Sequence, residues 1–232
     1  MKIWRFSDPV DARFAAGALR GSWTPDDGGP CAECGASAQR RVRPLLLAWE
    51  PGSALVGDFV WPGVGEVVCR DGVLRALQEA FAGIEPGPVE VVDDPGPVRG
   101  KRRRPRVELP YKGPPLLEIW PGREVSLDPA RSSAELEHRC ATCAAEQWIF
   151  TGLARWEVRW DPVALAGERV LVPRTPEAGL FVSEAELAGA DVFALREAPA
   201  WRLCTDRVKA FVEAGGFTNV CFLEVGDTVP VS

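Results

Sequence analysis

Four cysteines are spaced for metal chemistry. Of the seven in the chain, four form two C-x-x-C pairs, Cys31-Ala32-Glu33-Cys34-Gly35 and Cys140-Ala141-Thr142-Cys143-Ala144. This spacing lets two thiolates on one tight turn reach the same ion, and two such turns complete a tetrahedral four-cysteine zinc site. Gly35 suits the turn because it lets backbone N–H groups turn toward the sulfurs. Ala144 stands where the second turn would also favour glycine, so the second pair is the weaker match. Two unrelated reduced pairs are the plain alternative. A redox C-x-x-C is another, but it calls for a strand before and a helix after. Cys31 instead follows the turn-forming run Asp26-Asp27-Gly28-Gly29-Pro30. Four thiolates leave no open position for water, so the zinc expected is structural rather than catalytic. His138, two residues before Cys140, is the one histidine that could replace a ligand.

The two pairs lie 105 residues apart. Closing so long a loop costs roughly 5 kcal/mol of chain entropy. Structural zinc contributes on the order of 10–16 kcal/mol in small peptides, enough to staple the two halves. The remaining cysteines, Cys69, Cys204 and Cys221, end or occupy apolar strand-like segments and read as small buried hydrophobes.

The elements that must position these thiols belong to an ordinary globular chain. It has 232 residues, 46% hydrophobic and 26% charged, with a net charge of −6. No run approaches the ~18 apolar residues of a membrane helix. The start, MKIWRFSDPV, lacks the apolar stretch of a signal peptide. The expectation is a cytoplasmic protein with no membrane partner. Glycine (23) and proline (21) are abundant, which predicts many turns and short elements.

Residues 1–30 read as an irregular arm, with a short helix starting at Asp11-Ala12-Arg13-Phe14. Strands are expected over 42–50 and 58–61. Residues 66–69 then read as a strand and Asp71 as a helix cap. Val73, Leu74, Leu77, Ala80 and Phe81 share one helical face. Gly83 ends that helix, and 89–92 is a strand. The pattern returns near the C-terminus. A strand at 201–204 precedes a helix capped at Thr205-Asp206, with Val208, Phe211 and Val212 on its apolar face. Gly215-Gly216 follow, then a strand at 220–225. Both segments carry Cys, Asp two later and Val two after that, which suggests an internal repeat. Strands are also expected within 116–128, at 147–150, 156–160 and 191–195, and Ser183-Glu184-Ala185-Glu186 is a capping-box signal. The fold class expected is α+β, β-rich, with two strand–helix–strand units and a four-cysteine zinc-knuckle staple. Residues 1–92 form the N-terminal half, 93–115 a proline-rich basic linker and 116–232 the C-terminal half, and the halves can pack as one domain.

Within the linker, RGKRRRPR carries Arg99, Lys101, Arg102, Arg103, Arg104 and Arg106. Setting aside these six positive charges takes the chain from −6 to −12. A basic run on an acidic body can bind phosphate or an acidic partner surface, or pair with the protein's own carboxylates. Catalytic signatures are missing from the sequence: no glycine-rich phosphate loop, no G-x-S-x-G, no H-E-x-x-H, and a single histidine. A binding protein is expected rather than an enzyme.

The two C-x-x-C pairs resemble the double-CXXCG-motif protein family typical of myxobacteria. The C-terminal region is similar too: D-[VIL]-F-x-L at 191–195, R-V-K-x-F at 207–211 and G-[FL]-x-x-V-x-F at 216–222. The resemblance runs from the first pair to about residue 225, and Ala144 departs from its second CXXCG. It implies an immunity protein of the Sit type, which binds and neutralises a cognate toxin between kin cells. An acidic body suits a basic toxin, since opposite potentials steer association. The alternative is a zinc-containing nucleic-acid-binding protein using residues 99–106.

Overall fold

The computed structural model describes residues 1–20, 23–25, 31–35, 39–41, 44–63, 65–93, 104–161 and 166–230. The chain is strand-rich with few helices. In order, the first elements are β1 (Lys2–Ser7), β2 (Gly17–Leu19), β3 (Trp23–Pro25), β4 (Gln39–Arg41), β5 (Leu45–Trp49), β6 (Phe59–Val60) and β7 (Val68–Arg70). Then come α1 (Asp71–Ala80), β8 (Ile84–Val91), β9 (Leu116–Pro121), β10 (Glu124–Val125), β11 (Ala134–Arg139) and β12 (Glu146–Phe150). The chain continues with β13 (Arg155–Asp161), β14 (Ala166–Val172), β15 (Leu180–Ser183), α2 (Glu184–Leu187) and β16 (Val192–Leu195). It closes with β17 (Leu203–Thr205), α3 (Asp206–Ala214) and β18 (Cys221–Val229).

Two six-stranded sheets carry the fold, ordered β2-β5-β8-β9-β7-β6 and β10-β16-β17-β1-β18-β15. Three two-stranded ribbons, β3–β4, β11–β12 and β13–β14, stand apart from them. The sheets share a sequence of pairings. β5 runs parallel to β8 as β15 does to β18. β9 lies antiparallel between β8 and β7, as β1 lies between β18 and β17. β6 then flanks β7 as β16 flanks β17, both antiparallel. Two strands cross the divide expected at residues 93–115. β9 completes the sheet of N-terminal residues, and β1 fills the middle of the sheet of C-terminal residues.

Residues 1–20 and 23–25 are therefore no irregular arm, and the rest of the expected arm lies outside the described residues. Ile3 is fully buried and Phe6 nearly so, because β1 has neighbours on both edges and both faces. Its alternation is hidden in the sequence by Trp4 and Arg5, which occupy opposite faces. Residues 11–14 form a turn rather than a helix. The Asp11 carboxylate accepts from the Arg13 backbone N–H, which offers the chain an alternative to helical bonding.

One core lies between the sheets and two flank it. The central cluster holds Val73, Leu74 and Leu77 of α1 with Val208 and Val212 of α3, packed on Phe6, Cys69, Ile119, Val192 and Cys204. Phe81 meets Phe211 edge-on at 5.3 Å between ring centroids. Ala80 is exposed and Phe81 lies in extended backbone just past the helix, so both fall outside the helical face expected of them. The helix starts also differ from expectation. Arg70 is the N-cap of α1, and Asp71 sits in the first turn, where its charge complements the helix dipole and Arg75 pairs with it. Thr205 is the N-cap of α3, but its hydroxyl donates to the buried Asp191 carboxylate at 3.0 Å instead of capping. Ser183 does cap α2, accepting from the Ala185 N–H.

The outer face of the C-terminal sheet packs Ile3, Phe193, Leu195, Leu180 and Leu203. The outer face of the N-terminal sheet packs Leu45, Leu47, Val68 and Leu116 with Val107 of the expected linker. The described part of that linker is thus built in. Pro105 accepts from the Gly52 N–H and Pro115 from the Asp71 N–H. Among the described residues no helix is long and apolar enough to cross a membrane.

Because β1 is a central strand, trimming Ile3 should act as a core mutation although it is the third residue. Ile3→Ala is expected to lower unfolding free energy by about 3 kcal/mol in a denaturant titration.

Candidate metal centre

Two ribbons bring the C-x-x-C pairs together. The first pair lies between β3 and β4, which pair through Trp23 with Arg41, Thr24 with Arg40 and Pro25 with Gln39. The second pair is the tip of the β11–β12 hairpin, whose last register pair is Arg139 with Glu146. The Cys140 N–H donates to the Ala145 carbonyl at 2.9 Å and closes that tip.

The two turns have the same build. In the first, the Gly35 N–H donates to the Cys31 carbonyl at 2.8 Å, with Gly35 at φ +70°. In the second, the Ala144 N–H donates to the Cys140 carbonyl at 3.0 Å, with Ala144 at φ +58°. Alanine thus takes the left-handed conformation that the turn requires and bears a strain of about 1 kcal/mol for it. The departure at Ala144 leaves the turn geometry intact.

The four sulfurs converge. Cys31 Sγ lies 3.7 Å from Cys140 Sγ, and Cys34 Sγ lies 3.6 Å from Cys143 Sγ. All four fall within 4.8 Å of one another, an arrangement that could hold a metal ion. Thiolates at ~2.3 Å from a tetrahedrally bound ion sit about 3.8 Å apart, so the closest pairs are near the spacing such an ion requires. Cys140 is buried, Cys31 is partly covered, and Cys34 and Cys143 are exposed. The Cys31–Cys140 side of the cluster is covered and the Cys34–Cys143 side is open.

The electrostatics favour a cation among the sulfurs. Backbone N–H groups of Cys34 and Glu33 lower the Cys31 pKa to about 7. At Cys140 the Cys143 N–H acts in the same direction. Burial and the neighbouring Cys143 and Cys34 thiols outweigh it and raise the pKa to about 12. One thiol ionises readily, and its neighbours then resist adding negative charge. A bound divalent cation removes that resistance, because it favours every thiolate at once.

A polar contact between the turns escaped the sequence reading. Glu33 and Thr142 each occupy the third position of their motif, and the Thr142 hydroxyl donates to the Glu33 carboxylate. This hydrogen bond holds the Glu33 carboxyl below the usual range. The matching motif positions were the only signal available, and they became informative only when the turns faced each other.

The other residues singled out by sequence lie elsewhere. His138 is an exposed residue of β11, beside a register irregularity, and is not among the four converging ligands. Cys69 and Cys204 lie in the central core, and burial pushes both thiols well up in pKa, as expected of inert packing residues. Cys221 donates to the Ser7 carbonyl at 3.2 Å, and burial raises its pKa as well. Arg99, Lys101, Arg102 and Arg103 of the basic segment lie outside the described residues. Arg104 is exposed, and Arg106 lies 3.8 Å from the Asp93 carboxylate.

No protein-family model matches the chain, and no curated protein matches it either. The left-handed turn residues offer a direct test of the centre. Ala144→Gly should stabilise the metal-loaded protein by about 1 kcal/mol, and Gly35→Ala should destabilise it by a similar amount, both measured by urea denaturation.

Proposed function

We propose that the four thiolates hold a structural zinc ion, and that the protein is an immunity protein that binds and neutralises a cognate bacterial toxin. The observation that carries the reading is the convergence of two C-x-x-C turns from positions 105 residues apart. Those turns are the residues on which the resemblance to the double-CXXCG-motif family rests. In this reading the chain is an α+β scaffold of two strand–helix–strand units, each centred on a helix with a Cys-x-Asp-x-Val start. The ion clamps the β3–β4 and β11–β12 ribbons, and the protein acts in the cytoplasm as a binding surface rather than a catalyst. A four-thiolate site suits this role, since it has no vacancy for a substrate or an activated water.

The acidic surface supports a basic partner. Outside residues 99–106 the chain carries −12, against −6 overall, and such a body attracts a basic toxin through long-range steering. The Arg106–Asp93 approach supports a basic segment that partly pairs with the protein's own carboxylates.

Elemental analysis should find close to one zinc per chain, and Cys34→Ser should reduce zinc content and lower the thermal midpoint. Metal-free protein purified without chelator would remove zinc from the reading. Co-expression with the product of the adjacent gene should give a complex and rescue growth, with association slowing as salt is added. Failure of both, together with salt-dependent nucleic-acid binding lost in an Arg102, Arg103 and Arg104 triple alanine variant, would favour the nucleic-acid alternative.

A further inference from the structure

The central strand of the C-terminal sheet carries a charge where its pattern calls for an apolar residue. On β1, Ile3 packs into the outer core, and Arg5 lies two residues on, on the same face. Its cross-strand partners are Leu203 on one side and Leu223 on the other, both buried. Arg5 is partly exposed, so its stem lies between two core leucines while its guanidinium reaches outward. The buried carboxylate of Glu118 has a charged counterpart, Arg202 at 3.7 Å. Among the described residues Arg5 has no carboxylate partner and no hydrogen-bond acceptor. Its guanidinium lies over the Trp201 ring, 4.6 Å from the centroid.

Arg5 instead lines a cavity of about 400 Å³, walled by Phe150, Thr151, Leu153, Ala154, Arg155 and Trp201. Phe150 and Trp201 are in contact, with ring centroids 5.0 Å apart. The cavity size is that of a small-molecule site, apolar with a few polar groups. Of the two guanidiniums, Arg155 is already paired with Glu157. Among the described residues, Arg5 is thus the one cation of the cavity without an anionic partner, and it faces an aromatic and aliphatic wall. Burial also lowers the Arg5 pKa, consistent with a cation placed at a cost in solvation.

We infer that this cavity binds a small organic carboxylate with an apolar or aromatic body. The planar guanidinium edge of Arg5 donates to the carboxylate, and Phe150, Leu153 and Trp201 hold the body. One positive charge matches a monoanion, which favours a carboxylate over a doubly charged phosphate. The inference is independent of the immunity reading, since it rests on no residue of the metal centre.

The test is a calorimetric titration of the full chain with phenylacetate, its neutral isostere phenylacetamide and inorganic phosphate. Saturable phenylacetate binding is expected, with phenylacetamide at least about tenfold weaker and phosphate unable to displace phenylacetate. Arg5→Met should lose binding by at least about tenfold while its thermal midpoint stays level or rises, because an unpaired charge has been removed from an apolar face. Absence of saturable phenylacetate binding, equal binding of the amide, or tighter binding of phosphate would overturn the assignment. So would an Arg5→Met variant that binds as the parent does. Should that variant not fold, Arg5→Lys decides: binding weakened by about tenfold supports the site and unchanged binding overturns it.

Discussion

The pairing of β1 with both β17 and β18 is the constraint on which the C-terminal half of the molecule depends. Without it that sheet would fall into two pieces, each with an unpaired edge facing the core. Buried backbone groups without partners are too costly for such an arrangement to persist. β1 also distributes its side chains to three places. Phe6 enters the central core, Ile3 enters the outer core, and Arg5 reaches the cavity beside Trp201. β9 plays the same part in the other sheet, between β8 and β7. Each sheet is thus completed by a strand from the other side of the linker, and the halves share a core rather than touching at a surface.

The metal centre is a different kind of link. It joins two ribbons that belong to neither large sheet, and its sulfurs lie outside all three apolar clusters. The core does not need it to exclude water. An ion held by the four sulfurs would fix the distance between two otherwise separate turns. The same left-handed residue closes each turn, glycine in one and alanine in the other, and the Glu33–Thr142 hydrogen bond joins their third positions. The β11–β12 ribbon also carries Phe150 to the cavity wall, so the ribbon that presents two of the clustered cysteines at its tip shapes the cavity at its base.

Charge in the interior separates stability from other roles. Glu118 and Arg202 are both almost fully buried, and each answers the other across the sheets. Thr205, Asp191 and Arg207 form another answered cluster, in which Asp191 accepts from both partners. Arg5 lies over the Trp201 ring and has no acceptor among the described residues. It is partly exposed and departs from the apolar patterning of its face of β1.

Much of this was legible in the sequence because it is local. The C-x-x-C spacing named the four cysteines whose sulfurs converge, and the apolar periodicity placed α1 and α3. Capping chemistry marked their starts to within a residue, though Asp71 proved to be a first-turn residue and Thr205 turned its hydroxyl to Asp191. The burial of Cys69 and Cys204 was also correctly anticipated, although each proved to be the middle residue of a three-residue strand rather than its end. The structure alone showed which strands are neighbours. β1 could not be read as central, because its alternation is masked by Trp4 and Arg5, and its partners lie about two hundred residues away along the chain. The equivalence of Gly35 and Ala144, the Glu33–Thr142 bond and the placing of Arg5 over Trp201 are likewise products of tertiary proximity. Spacing and periodicity report on one segment at a time, whereas register, burial and the pairing of charges depend on segments that meet only when the chain is folded.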